Sequence, residues 1–173
     1  MDVFEAIYGR RSIRAYKDDD VPLEILMKAI ECGIHAPSAG NLQPWEFIIV
    51  RDREIKEKLY RACFSQSQVR DAPVLIVVCA DIMRSAYYGQ RGMNLYAIQD
   101  TAAATQNILL ALYALGYATC WIGAFNEGLV KNILNIPKDV RPLAIITVGK
   151  GAEKPQKREL RELKDVVHFE KFT

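Results

Sequence analysis

Between Asp100 and Glu127 the chain carries 26 residues without a formal charge, TAAATQNILLALYALGYATCWIGAFN. A run of that length has to be buried, either in lipid or in protein. Gln106 and Asn107 fall near its first third, and Gly116 interrupts it where a helix would stop. A buried helix followed by a buried strand therefore accounts for it better than a membrane span. The helical part, Leu95 to Leu115, is apolar over most of its circumference, which leaves no face for water. A single domain of 173 residues hardly wraps such a helix, so a second copy packed on its outer side across a two-fold axis is expected.

The rest of the chain supplies the layers around that helix. Asp2 and Glu5 form a capping box for a short helix over residues 2–9 that Gly9 ends. Pro22 opens a second helix with Leu23, Leu26, Met27, Ile30 and Ile34 as its apolar face, stopping before Pro37; Asp20 is a candidate cap. WEFIIVR reads as a strand and Glu54 to Ala62 as a helix. PVLIVVCA, residues 73–80, is fully apolar and β-branched, hence a central strand. TCWIGAF is a third strand, EGLVKNIL a short helix ended by Pro137, and PLAIITVG a fourth strand. Helices come first, then strands and helices loosely mixed, which gives an α+β layered sheet in one domain, 1–173, with a charged extension over 150–173.

Bulk properties exclude several functions. A formal charge of +2, with aromatics not interleaved among the basic residues, gives no nucleic-acid footprint. Cys32, Cys63, Cys79 and Cys120 lie far apart, three of them in apolar runs, as expected of reduced core thiols in a cytoplasmic protein. His35 and His168 have no second histidine at ligand spacing, so no metal site is expected. No GxGxxG, GxxxxGK[ST] or nucleophile elbow occurs. Few catalytic side chains alongside many anion donors suit a cofactor that carries the chemistry itself.

The donors concentrate in GRRSIRAYKDDD, residues 9–20. In an extended segment, alternation puts Arg10, Ser12 and Arg14 on one face and Arg11 with Ile13 on the other. Two guanidinium forks and a hydroxyl on one edge match phosphate oxygens or a polar heterocycle. On the residues alone, the cluster is either a solvated junction or an anion site.

RRSIRAY, APSAGNLQPWEFIIV at 36–50, VRDAPVLIVV at 69–78 and LGYATCWIGAF at 115–125 resemble, in order and over nearly the whole chain, the FMN-dependent nitroreductase family. The resemblance implies a three-layer α-β-α fold with a central, mostly antiparallel sheet, in a domain-sharing homodimer with an FMN in each of two interfacial sites. It implies that Arg10, Ser12 and Arg14 grip the flavin's phosphate and pyrimidine edge, with Arg11 a weaker contact. Pro37, Ser38, Asn41 and Gln43 would come from the partner subunit, Gly123 and Ala124 would offer backbone N–H groups to flavin N5, and Gln68 would lie beside the ring, with Ser65 and Gln66 its ambiguous neighbours. NADH or NADPH would reduce the flavin, and a nitroaromatic, quinone or related small-molecule acceptor would reoxidise it in a ping-pong cycle. No side-chain acid or base is implied.

The sequence departs from the family in two places. DIMRSAYYGQRGMN is short where larger members cover the substrate side, and the C-terminal basic pair of the phosphate site is blurred among Lys157, Arg158 and Arg161. Alternatives remain: flavin fragmentation or reductive dehalogenation on the same fold, a flavin-binding redox module without turnover, or an anion-binding interaction protein.

Overall fold

The computed structural model describes residues 1–155 and 158–172. In chain order the regular elements are α1 (Val3–Gly9), α2 (Leu23–Ile34), β1 (Trp45–Val50), α3 (Arg53–Ala62), α4 (Ser67–Asp71), β2 (Val74–Asp81), α5 (Gly89–Arg91), α6 (Ala97–Ala114), β3 (Ala118–Ile122), α7 (Glu127–Leu134) and β4 (Val140–Gly149). Short 3-10 turns precede β1 and α5, and a π-helical stretch, Gly92–Tyr96, joins α5 to α6. The four strands form one antiparallel sheet in the order β1-β2-β4-β3.

Alternation along β2 divides the core in two. Val74, Ile76 and Val78 face one side and pack with Leu26 and Ala29 of α2 and Ile108, Leu109 and Leu112 of α6. Leu75, Val77 and Cys79 face the other and pack with Leu59, Ala62 and Cys63 of the α3 end, Val69 of α4 and Val130 of α7. Every residue from Val74 to Ala80 is fully buried, because helices cover both faces. This is the expected α-β-α layering. Each fully buried Leu or Ile side chain contributes roughly 1.5–3 kcal/mol relative to exposure.

Local chemistry sets the element ends. Asp2 accepts from Glu5 N while Glu5 accepts from Asp2 N, completing the capping box. Asn126 caps α7 through Leu129 N, and Asn135 ends it in the left-handed conformation, two residues ahead of Pro137. Asp20 does not cap α2: Pro22 occupies that position, and the Asp20 carboxylate accepts from Arg51 at 2.7 Å instead. Two further expectations are corrected. β3 stops at Ile122 and does not continue through Phe125, because its ladder with β4 ends at the Ile122–Ile145 pair. The buried face of α2 is Leu26, Ala29 and Gly33, with Ile30 half-buried, whereas Leu23, Met27 and Ile34 are exposed.

Those exposed apolar residues have company. Val3, Phe4, Ile7 and Tyr8 of α1 are exposed too, and a groove of about 420 Å³ runs between α1, α2 and α6 past Val3, Cys32, Leu110 and Ala114. The outer side of α6 is thus incompletely covered by its own chain. Among the described residues, no helix is long and apolar enough to cross a membrane.

Candidate cofactor site

Beyond α1 the chain leaves helical geometry at Arg10 and runs alongside β3. Ser12 forms a parallel bridge with Thr119, and Tyr16 an antiparallel bridge with Gly151. Ile13 N donates to Thr119 O at 2.9 Å and its side chain is buried, so Ser12 and Arg14 emerge on the opposite side. They line a cleft of about 520 Å³ with Arg11, Glu153, Lys154, Pro155 and Arg158.

Arg11, not Arg10, joins Ser12 and Arg14 in that lining. Arg10 nonetheless stays on the same side as Ser12 and Arg14, since all three bear on the Cys120 thiol. Arg11 folds back, donating Nη1 to Tyr8 O at 2.6 Å and Arg10 O at 2.9 Å, which caps carbonyls at the helix end. Arg10 is half-buried. Burial, and then the like charges of Arg158 and Arg11, push its guanidinium below the ordinary value. Such crowding of cations is relieved by an anion bound among them. The Arg14 guanidinium enters none of the hydrogen bonds among the described residues, while its backbone N–H donates to Glu153 Oε1 at 2.5 Å.

The C-terminal candidates separate. Arg158 lines the cleft, Arg161 is turned into the tail and donates to Asp165 O at 2.5 Å, and Lys157 lies outside the described residues. Glu153, Lys154 and Pro155 were not foreseen; they reach the cleft because Ala152 N bonds Ala15 O and Lys17 N bonds Lys150 O, a pairing that local sequence does not announce.

The loop at 37–44 is built differently. Gly40, Asn41 and Gln43 all have left-handed φ, at 58°, 56° and 50°. For asparagine and glutamine this stores strain of roughly 1–3 kcal/mol each, held only because the surroundings determine it. Ser38 Oγ accepts from Gln43 N, and Gln43 Nε2 donates to Asn41 Oδ1 at 3.1 Å, so the two amides brace one another. Asp100 accepts from Ala39 N, and burial pushes its carboxyl above the ordinary value. Arg84 donates to Leu42 O at 2.9 Å. A Cβ on Gly40 would lie 2.6 Å from Tyr88 Oη, so the ring packs directly on that glycine. Arg84 and Tyr88, from the segment after β2, support the loop without any local signal in the sequence. Pro37 is exposed and Ser38 half-buried.

The third cluster lies past the end of β3. Gly123 and Ala124 are exposed, beyond the last ladder pair. Gln68 on α4 is buried and donates weakly to Gln66 Oε1 at 3.4 Å, whereas Gln66 reaches Ala124 O at 2.8 Å and Cys63 O at 2.9 Å. Gln66 therefore fixes the strand-end loop, and Phe64 and Ser65 leading into it also have left-handed φ.

The arginine segment and the 37–44 loop are far apart within one chain. The loop enters β1 at Trp45, which pairs through Ala80 with Arg141, whereas Ser12 pairs through Thr119 with Val148. Four strand spacings separate them laterally, about 19 Å, and seven residues along β4 add about 23 Å lengthwise. The two clusters do not contact one small molecule in the same chain.

The donor set fits FMN. Guanidinium groups around a serine hydroxyl suit a phosphate, and a glycine at positive φ beside amide side chains suits close approach of a flat ring.

A sequence model described as Nitroreductase family matches residues 7–71 and 64–150. A protein of Methanothermobacter thermautotrophicus, provisionally named NADH dehydrogenase/NAD(P)H nitroreductase, is 40% identical over 177 residues, covering 99% of this chain and 88% of the relative. FMN reductase [NAD(P)H] of Bacillus subtilis is 30% identical over 185 residues, 99% of this chain and 74% of that one. Among solved structures, the NADPH:FMN oxidoreductase of Vibrio harveyi complexed with NAD⁺ superimposes with a TM-score of 0.91 at 25% identity, covering 98% of this chain and 77% of the other.

Proposed function

The chain belongs to the nitroreductase family and is an NAD(P)H-dependent oxidoreductase, and on that premise we propose that it works as a homodimer with FMN in two sites built jointly by both subunits. One observation carries the reading: a cation-crowded cleft and a strained amide loop, each suited to part of a flavin, lie at opposite corners of the sheet. A two-fold partner brings the loop of one chain to the cleft of the other. The apolar groove between α1, α2 and α6 and the exposed Phe4, Met27 and Ile34 supply the contact surface.

In this arrangement Ser12, Arg11, Arg14 and Arg158 hold the phosphate and the polar edge, with Arg10 adding its charge beside Arg158; Lys157 and Arg161 remain candidates for the same phosphate. Pro37, Ser38, Asn41 and Gln43 of the partner loop cover the ring, and their mutual bracing keeps the loop from collapsing when empty. Gly123 and Ala124 present backbone N–H groups past the strand end, Gln66 fixes that loop, and Gln68 closes the site from α4. Arg14 favours a ligand that gains negative charge. Bound FMN would supply the two-electron chemistry that links NADH or NADPH to a nitroaromatic, quinone or related acceptor in a ping-pong cycle.

The C-terminal extension fits the same dimer. Leu160, Leu163, Phe169 and Phe172 are all more than three-quarters exposed, which an unpartnered tail would not favour. They reach the neighbouring subunit.

Chromatography of heat-released cofactor against FMN and FAD standards, with NAD(P)H consumption in the presence of menadione or a nitrofuran, tests the reading. FMN with turnover supports it; FMN without turnover leaves a redox module, and a colourless protein refutes it.

A further inference from the structure

We propose that the Tyr16 hydroxyl is the positioning group that aims Ser12 and Arg14 into the cleft, and thereby sets preference for a flavin that carries a phosphate. The inference rests on the assignment of FMN to that cleft.

The arginine segment has no full ladder to hold it. Among the described residues, two isolated bridges, at Ser12 and Tyr16, tie it to the sheet. Between them Ile13 is pinned three ways. Its N–H donates to Thr119 O at 2.9 Å, its side chain is 7% exposed, and its carbonyl accepts from Tyr16 Oη at 2.6 Å. With residue 13 fixed on all three counts, residues 12 and 14 have to project the other way. Release of the carbonyl leaves the peptide that joins Ile13 to Arg14 held only through the Arg14 N–H, by the exposed Glu153 carboxylate, and so loosens the unit that sets the direction of the second guanidinium.

The hydroxyl is itself held. Thr147 Oγ1, on fully buried Thr147 of β4, lies 2.5 Å from Tyr16 Oη. The phenol's one hydrogen goes to Ile13 O, so Thr147 is the donor in that contact. A chain of polar groups thus runs from a central strand to the cleft segment. The ring is placed by Gly149: a Cβ there would lie 2.9 Å from Tyr16 Cδ1 and 2.7 Å from Pro73 Cδ. Phenylalanine would pack as well against these groups. Only the hydroxyl adds the link to Ile13. Burial raises its pKa well above the ordinary phenol value, so it remains a donor throughout the working pH range.

The test compares FMN with riboflavin, which lacks the phosphate, by fluorescence titration of apoprotein. Wild-type protein is expected to prefer FMN clearly. Tyr16→Phe is expected to weaken FMN about five- to tenfold and riboflavin about two- to threefold, since riboflavin shares the polar edge that Arg14 meets but lacks the phosphate that Ser12 meets. Thr147→Val, which keeps the bond to Ile13 but loses its support, should shift the ratio in the same direction by about twofold. Ile136→Val, a buried change on the same side of the sheet remote from the cleft, should leave the ratio unchanged at a comparable loss of melting temperature. Equal weakening of both flavins by Tyr16→Phe, an unchanged ratio in both Tyr16→Phe and Thr147→Val, or an equal loss of preference in Ile136→Val each overturns the positioning role. Failure of wild-type protein to prefer FMN overturns the FMN assignment as well, and is visible before any substitution is made.

Discussion

Arg11 and Arg14 both line the cleft, yet the structure gives them different tasks, and paired alanine substitutions separate them. Among the described residues the Arg14 guanidinium enters no hydrogen bond, and it lines the cleft where a ligand can meet it. Loss of one charge-assisted hydrogen bond costs roughly 1.5–3 kcal/mol, on the order of ten- to a hundredfold in affinity. Arg14 is exposed, so the lower end applies and Arg14→Ala is expected to raise the FMN dissociation constant about ten- to thirtyfold. Arg11 already donates to Tyr8 O and Arg10 O. Its removal uncaps the end of α1, costing about 1 kcal/mol of stability, and lowers FMN affinity only through one charge fewer, about two- to fivefold. Flavin fluorescence quenching on apoprotein gives the affinities and thermal denaturation the stabilities. The potential of the bound flavin should also become more negative in Arg14→Ala, because a cation that stabilises the reduced form is gone. An Arg11→Ala effect on affinity as large as that of Arg14→Ala would refute the division of labour.

Gly40→Ala is expected to destabilise the protein by about 1–2 kcal/mol from the left-handed backbone alone, and to weaken FMN further by displacing the Tyr88 hydroxyl; a melting curve with a flavin titration checks both. Burial pushes the Cys63 and Cys79 thiols up to about 12 from an ordinary 9.0. Their folded-state values are raised, so the unfolded chain releases these protons first, and stability is complete below pH 9 and falls as pH rises from there towards 12. At pH 10 the loss is about 1.4 kcal/mol per thiol, and Cys63→Ala or Cys79→Ala should flatten the alkaline limb of a denaturant-midpoint profile, apart from a constant packing loss. Joint replacement of Phe169 and Phe172 by serine should weaken the dimer in sedimentation experiments, since both rings are more than four-fifths exposed in the single chain.

Much of this fold is legible because burial on both faces leaves an unmistakable composition. The run at β2 contains no polar residue until Asp81, and the capping residues Asp2 and Asn126 sit where hydrogen bonding requires them. Apolar composition reports burial, not pairing, which is why GAF after β3 looks like strand although the ladder has ended: Phe125 packs against the core from a loop. The α2 face misleads for a related reason. Leu23, Met27 and Ile34 are apolar for a surface that the single chain leaves open. At the cleft, Ser12 and Arg14 follow from alternation, but Arg11 does not, because helix-end carbonyls capture its guanidinium. Glu153, Lys154 and Arg158 are some 140 residues away in sequence, and only the Ala15–Ala152 pairing brings them in.

Complementation in a mixed dimer tests the shared site most directly. One subunit carries Arg10→Ala with Arg14→Ala, and the other carries Asn41→Ala with Gln43→Ala, each homodimer first shown to be folded and free of flavin. When the cleft of one chain meets the loop of the other, both lesions fall in one site and the second site is intact. The mixed dimer is then expected to bind one FMN per dimer and to recover about half the wild-type activity, given independent sites. A folded mixed dimer that binds no flavin would mean that each chain builds its own site, and would contradict the account.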